Sequence, residues 1–332
     1  MRLHPVAAAV LVLLIGGAPG YPAPRPIRLV ARAGHVKKGS EKQTCFPVTF
    51  PGDQAMDVDH VQIFVHGGSH HIHLYRPTPG AVEYPNPDNT YAPAGRHNPP
   101  RACAFAIDFS HWELVAAAQT ASLNWQLPPG VAIHFLPHQP LLIQTHFVNT
   151  GSGSASLSVK GPARAKMLLY PRDPATVTAY GGALFAQDRT VSVPPGLSTA
   201  SSICSLTGSP SDGRETTVMA LTGHYHFRGI KFEVWRHLAD GTRGERVYVN
   251  DGYNDPEFQQ YAPGELVLKP GEGLEWECTW QNDGPTTFMF GPNTEKNEHC
   301  NLFGFYYPTE DAFEAIDCVH REDGQNIRIV AH

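Results

Sequence analysis

The chain has little charge, little helical periodicity and no long apolar run. Charged residues make up 17% of its 332 residues and the net charge is −6, so it lacks the basic footprint that nucleic acid requires. No cysteine pair has the C-x-x-C spacing of a zinc ribbon or a thioredoxin-type motif. No N-x-Ser/Thr acceptor for N-glycosylation occurs. The apolar run from about Val6 to Ile15 is too short to cross a bilayer, and nothing later extends it, so no stable membrane span is expected. A short basic start and the small residues behind that run read as a signal peptide over residues 1–22. No cysteine follows it, which disfavours a lipid anchor. A secreted or periplasmic protein is expected.

What is present favours strands. Hydrophobic residues make up 41%, with 31 glycines and 30 prolines to punctuate them. In HVQIFVHGG, Val61, Ile63 and Val65 share a face. In PLLIQTHFVN, Leu142, Gln144, His146 and Val148 share one face, with Leu141, Ile143, Thr145 and Phe147 on the other. MALTGHYHFRGIKFEVWR and GELVLKPGEGLEWECTW alternate similarly, which predicts an all-β chain of β-sandwich type. One weak helical candidate covers His111 to Thr120. The length allows about two domains. The strand pattern gives way between Lys166 and Pro174, so the division expected is 23–170 and 171–332. Six cysteines in an exported chain suggest three disulfides. Two fall in the first half and four in the second, as expected for domains that close their own bridges, while the fifteen pairings remain open.

The 18 histidines are unevenly spread. The first cluster is His66, His70, His71 and His73 in VHGGSHHIH. Neighbouring His70 and His71 would face opposite sides of a regular strand and can share a metal only if the chain bends, which Gly67, Gly68 and Ser69 permit. The alternative is a solvated polar loop. His146 lies on a strand-like run beside Gln144. His224 and His226 form an H-x-H pair, which on a strand aims two imidazoles at one side. Tyr225 and Phe227 then point the other way, where they could pack. His299 adjoins Cys300 in ENEHCNLFGFYYP and would be held rigidly by a bridge there. Imidazole-rich sites suit zinc, copper, iron or nickel. The residues thus read as two histidine-rich metal sites, one per domain.

In this order, the HH pair, Q-x-H, H-x-H and the E-x-C-N-L-x-x-x-Y-Y segment resemble the copper type II, ascorbate-dependent monooxygenases from about Lys42 to Cys318. The resemblance implies two tandem jelly-roll-like β-sandwich domains with two copper ions per chain. It assigns His70, His71 and His146 to an electron-relaying copper, and His224 and His226 to a copper that activates dioxygen. It further implies O2 and a small-molecule substrate as partners and ascorbate as reductant. Gln144 matches a position near the route between the coppers. The resemblance pairs Cys278 with Cys300, Cys204 with Cys318 and Cys45 with Cys103.

The sequence also departs from the family. His299 stands where the family has a methionine ligand, which replaces a soft thioether with a harder imidazole. Met289, ten positions upstream in TTFMFG, reads as part of a core strand and not as a substitute ligand. Thr222 stands where the peptide-hydroxylating branch carries an arginine, and Phe303 where it carries a tyrosine, while Asn301 is kept. A carboxylate substrate would therefore lack its charged partner. The leading reading is a monooxygenase acting on a neutral or aromatic small molecule. The alternatives are a catalytically altered copper-binding or electron-transfer protein and, third, a zinc protein with Glu298 as general base.

Overall fold

Period-two alternation leaves each strand with an apolar face to cover, and stacked sheets are the solution this chain adopts. The computed structural model describes residues 25–66, 69–77, 101–102, 112–149, 162–207, 214–320 and 326–331. The expected signal peptide (residues 1–22), the bend glycines Gly67 and Gly68, and Cys103 lie outside the described residues.

The strands of the first part are β1 (Ile27–Gly34), β2 (Ser40–Thr49), β3 (Met56–His66), β4 (Ser69–Pro77) and β5 (Arg101–Ala102). They continue with β6 (Trp112–Ala118), β7 (Ser122–Gln126), β8 (Val131–Phe135), β9 (Pro140–Asn149) and β10 (Ala163–Arg172). After a 3-10 turn at Pro174–Thr176 come β11 (Ala179–Tyr180), β12 (Gly182–Asp188), β13 (Ser192–Val193), β14 (Gly196–Ser205) and β15 (Thr216–Tyr225). Next are β16 (Gly229–His237), β17 (Arg243–Asp251), β18 (Gln259–Gln260), β19 (Val267–Leu268) and β20 (Gly273–Asn282). The last are β21 (Phe288–Met289), β22 (Cys300–Tyr307), β23 (Ala315–His320) and β24 (Asn326–Ala331).

Four sheets result. The first runs β1-β10-β3-β8-β11, with β7 also on β3; the second runs β5-β2-β9-β4-β6. The third runs β18-β15-β22-β12-β23-β24, with β19 on β15; the fourth runs β14-β20-β16-β17. A core containing Val61, Ile63, Met167, Ile72, Leu74 and Ile143 fills the space between sheets one and two. A second core, with Leu184, Phe232, Trp276 and Leu302, lies between sheets three and four. The all-β sandwich expectation is met. Cys204–Cys318 and Cys278–Cys300 are disulfides, as the resemblance implied.

The middle two sheets also pack on each other, because Ala183, Phe185, Met219, Phe303 and Phe305 of sheet three join the first core. Both faces of these sheets are therefore covered. This corrects the helical expectation for His111 to Thr120: Trp112–Ala118 is strand β6, buried at every position. A strand covered on both faces reads as a continuous apolar run, so its period is lost. Strand pairing with the first part continues past Arg172, since Ala179 and Tyr180 pair parallel with β8, and pairing within the third sheet starts at Gly182.

Candidate metal centre

The site forms where sheets two and three meet. On β9, Gln144 and His146 face sheet three, while Ile143 and Phe147 enter the first core. On β4, His71, His73 and Tyr75 take the same outward face. Regular alternation would turn His70 away. The register between β4 and β9 slips at this point, from Ser69 opposite Phe147 to His71 opposite His146, and the extra residue is His70. A β-bulge of this kind re-aims a side chain. It brings His70 to the side of His71, with ring centroids 5.4 Å apart. His66 does not join them; it ends β3 as an exposed residue.

From sheet three, β15 supplies His224, with His226 just beyond its end. The expected aromatic packing holds for Tyr225, which is buried, but Phe227 is 42% exposed. The His70 ring lies 5.2 Å from His146, 4.6 Å from His224 and 5.3 Å from His226. Two histidine triplets result, His70–His71–His146 and His70–His224–His226, each with ligand nitrogens within 4.8 Å of one another. The sites read as separate in the sequence therefore meet, and His70 belongs to both. His299 lies beside the second triplet, its ring 4.3 Å from His226 and 5.6 Å from His224. The rings surround a cavity of about 40 Å³, also lined by Gln144, Asn301, Phe185 and Phe303.

Electrostatics keep His70, His71, His73, His224, His226 and His299 neutral. Burial, then the neighbouring histidines, holds His70, His71 and His224 well below the usual histidine range. Burial and His299 do the same for His226. Burial brings His73 down to about 3 and His299 to about 4. A neutral imidazole has one N–H and one lone pair, so its partners decide which nitrogen can bind a metal. Glu41 Oε2 lies 2.7 Å from His146 Nε2, and a carboxylate accepts, so Nε2 is taken and Nδ1 is the nitrogen left to face a metal. The carbonyl of Asn297 accepts from His226 Nδ1 at 3.1 Å, which leaves Nε2. Gln119 Nε2 donates to the Gly223 carbonyl at 2.8 Å and to Thr222 Oγ1 at 3.0 Å. Its Oε1 must then face His224 Nδ1, 2.6 Å away, which again leaves Nε2 free. Such outer hydrogen bonds are how metal-binding histidines are oriented.

The donor set fits a soft-to-borderline metal such as copper. His70 Nε2 and both nitrogens of His71 are buried without a hydrogen-bond partner. Each such group costs about 1–3 kcal/mol, so this many in one cavity calls for a common acceptor of lone pairs.

His299 is less constrained. Its Nδ1 lies 2.8 Å from Asn301 Nδ2, while Asn301 Oδ1 is buried and unpaired. With the amide nitrogen toward it, Nδ1 accepts and Nε2 carries the proton. With the amide reversed, Nδ1 donates and Nε2 becomes a ligand. Thr222 is fully buried under Gln119, away from the cavity. Glu298, the general base of the zinc alternative, is not among the residues that line the cavity. It is 0% exposed, and its oxygens accept from the backbone N–H of His226 and Arg228, the Arg228 guanidinium and Trp280 Nε1. Burial raises its carboxyl to about 7 against the pull of Arg228. Met289 is 52% exposed on a two-residue strand, which corrects its reading as a core residue. Sequence reasoning missed Gln119 and Glu41. Gln119 carries a signal, since it ends a wholly apolar run as a lone amide; Glu41 carries none.

This ring of buried imidazoles in a β-sandwich protein is a candidate metal centre. Residues 184–328 match the family model of the copper type II ascorbate-dependent monooxygenase, C-terminal domain. The match includes His224, His226, His299 and both disulfides; His70, His71 and His146 lie before it. DBH-like monooxygenase protein 2 of Homo sapiens is 29% identical over 86 residues, which are 26% of this chain and 17% of that protein. Two solved structures align over much of the chain. A secreted protein from Parabacteroides distasonis ATCC 8503 has 7% identity and a TM-score of 0.21 over 85% of this chain and 92% of its own. The infectious bursal disease virus Gx strain structure has 10% identity and a TM-score of 0.19 over 89% and 75%. These scores support no inference about function.

Proposed function

We propose that the chain is an exported dicopper monooxygenase-like protein that uses O2 and ascorbate to hydroxylate a C–H bond of a small molecule. The observation that carries this is the buried pair of triplets joined at His70, where His70 Nε2 and both nitrogens of His71 have no hydrogen-bond partner. His70, His71 and His146 would hold one copper, and His224 and His226 the other, with His70 or His299 completing the second set. Copper bound there supplies one-electron redox chemistry and activation of dioxygen. The chain's own part is to orient and to exclude water. Glu41 fixes the His146 tautomer, Gln119 that of His224, and the Asn297 carbonyl that of His226. Phe185 and Phe303 form an apolar wall of the cavity. Gln144, across from His73 on the neighbouring strand, lines the same cavity.

A second reading, an electron-transfer or copper-binding protein with altered catalysis, is favoured by one specific observation. No methionine lines the cavity among the described residues, so no thioether is at hand for the second copper.

X-ray absorption on the copper-loaded, ascorbate-reduced protein, with metal content and oxygen uptake on the same sample, tests both. Two coppers with ascorbate-dependent oxygen uptake coupled to product support the monooxygenase. Two coppers with only nitrogen and oxygen scattering and no uptake support the second reading. Zinc in place of copper in the purified protein sinks both.

A further inference from the structure

Seven arginines of this chain sit against a carboxylate: Arg76, Arg172, Arg214, Arg228, Arg236, Arg243 and Arg246. One face of the first sheet behaves differently. Strands β1, β10 and β3 bury alternate residues in the core and present the others outward. The outward set includes Arg28, Arg32, Arg164, Lys166 and His66, which line a groove of about 350 Å³. None of these five has a carboxylate partner among the described residues. The register places Arg32 opposite Arg164, and Arg164 opposite His66, in one row across three strands. Lys166 stands in the next row over the Phe64 ring, 4.3 Å from its centroid. Like charges directly opposite each other destabilise a sheet, and neighbouring strands are only about 4.8 Å apart. A chain with net charge −6 nevertheless leaves this row unneutralised.

We propose that this groove binds an extended acidic glycan, a polysaccharide chain bearing sulfate or carboxylate groups. Arg28 and Arg32 are four residues apart on one strand, so their charges span about 13 Å. Arg164 and Lys166 sit on the adjacent strand β10, so an extended chain laid between β1 and β10 meets positive charge on both sides. Guanidinium forks match the paired oxygens of sulfate and carboxylate. A bilayer surface fits less well. Phe64 is the large apolar side chain of the groove, it is capped by Lys166, and no apolar set stands ready to enter lipid. Nucleic acid is disfavoured by the net negative charge.

The test is calorimetric titration of the full chain with a heparin-derived hexasaccharide, in low salt and in about 0.5 M salt. Binding in low salt that weakens at least about tenfold in high salt is the expected result. The Arg32→Ser/Arg164→Ser variant should bind at least about tenfold more weakly. Arg32→Glu separates binding from folding. Its carboxylate opposite Arg164 should raise the Tm while glycan binding is lost. Copper content should stay that of the parent in both variants, because the groove contains no residue of either triplet. Absent binding in low salt, undiminished binding by the double variant, or binding to phosphatidylserine vesicles without binding to the hexasaccharide would each overturn the proposal.

Discussion

The two histidine triplets share His70 but are prepared for a metal in different ways. In the second, His224 and His226 sit at an i, i+2 spacing, and each has its Nδ1 tied to a group that can only accept. In the first, only His146 is tied, through Glu41, while His70 and His71 owe their common side to a bulge and His71 has no partner at either nitrogen. The second set is oriented before any ion arrives; the first relies on the ion to order it. The ties also cross the molecule. Gln119, from the first part of the chain, fixes His224, and Glu41 also accepts from the backbone N–H of Thr294 at 3.2 Å. Each set thus depends on the packing of sheet two against sheet three.

The shared residue gives the strongest way to break this comparison. His70→Ala should weaken both sites and leave fewer than about one copper per chain, while His146→Ala should leave about one, given that each site needs about three protein ligands. Metal analysis after dialysis decides it, and two coppers retained in His70→Ala would separate the triplets again.

The carboxylates behind the two sets come next. Glu298 is fully buried against Arg228, so Glu298→Ala should cost about 3–5 kcal/mol by denaturant unfolding. Glu41 is partly exposed, and Glu41→Gln should cost clearly less. Equal losses would show that the difference in burial does not matter.

Preorientation itself is tested by Gln119→Leu. Copper affinity at the second set should fall about 10–100-fold, as for other groups that orient metal ligands, with the first set unchanged. Competition with a chelator reads both affinities, and an equal fall at both would point to general loosening of the interface.

A control lies away from both sets. Burial raises the Glu314 carboxyl, but hydrogen bonds from Arg214, the Glu310 N–H and Tyr306 outweigh it and hold the group below its usual value. Its folded pKa is depressed, so its contribution is present above the unfolded value near 4.5 and is lost as pH falls through the lower folded value. Arg214→Gln should flatten that acid-side slope, at a cost of about 1 kcal/mol at neutral pH. Unfolding midpoints between pH 5 and 3 should show it without any change in copper content.

Much of the site was legible because strand geometry is local. The H-x-H spacing places His224 and His226 together, and the period of two puts Gln144 and His146 on one face. The adjacent His70 and His71 demand a bend, which the structure supplies as a bulge. The helical expectation at His111–Thr120 failed because β6 is covered on both faces, so no alternation marks it as a strand. Met289 misled in the opposite direction, since its apolar neighbours belong to a two-residue strand at the surface. Glu41 and Gln119 act on histidines 105 residues away along the chain, and no local pattern encodes such a pairing.

By itself, then, the sequence determined most of the strands, the all-β class, the chemistry of the ligands and that His224 and His226 share a face, because each follows from composition and a two-residue period. Only the tertiary structure decided that the two triplets meet at His70, that Glu298 is a buried, fully hydrogen-bonded carboxyl group and that Gln119 fixes a tautomer. Those facts depend on how sheet two lies on sheet three, a contact between surfaces far apart in the chain, where burial and hydrogen-bond geometry are set by both partners at once.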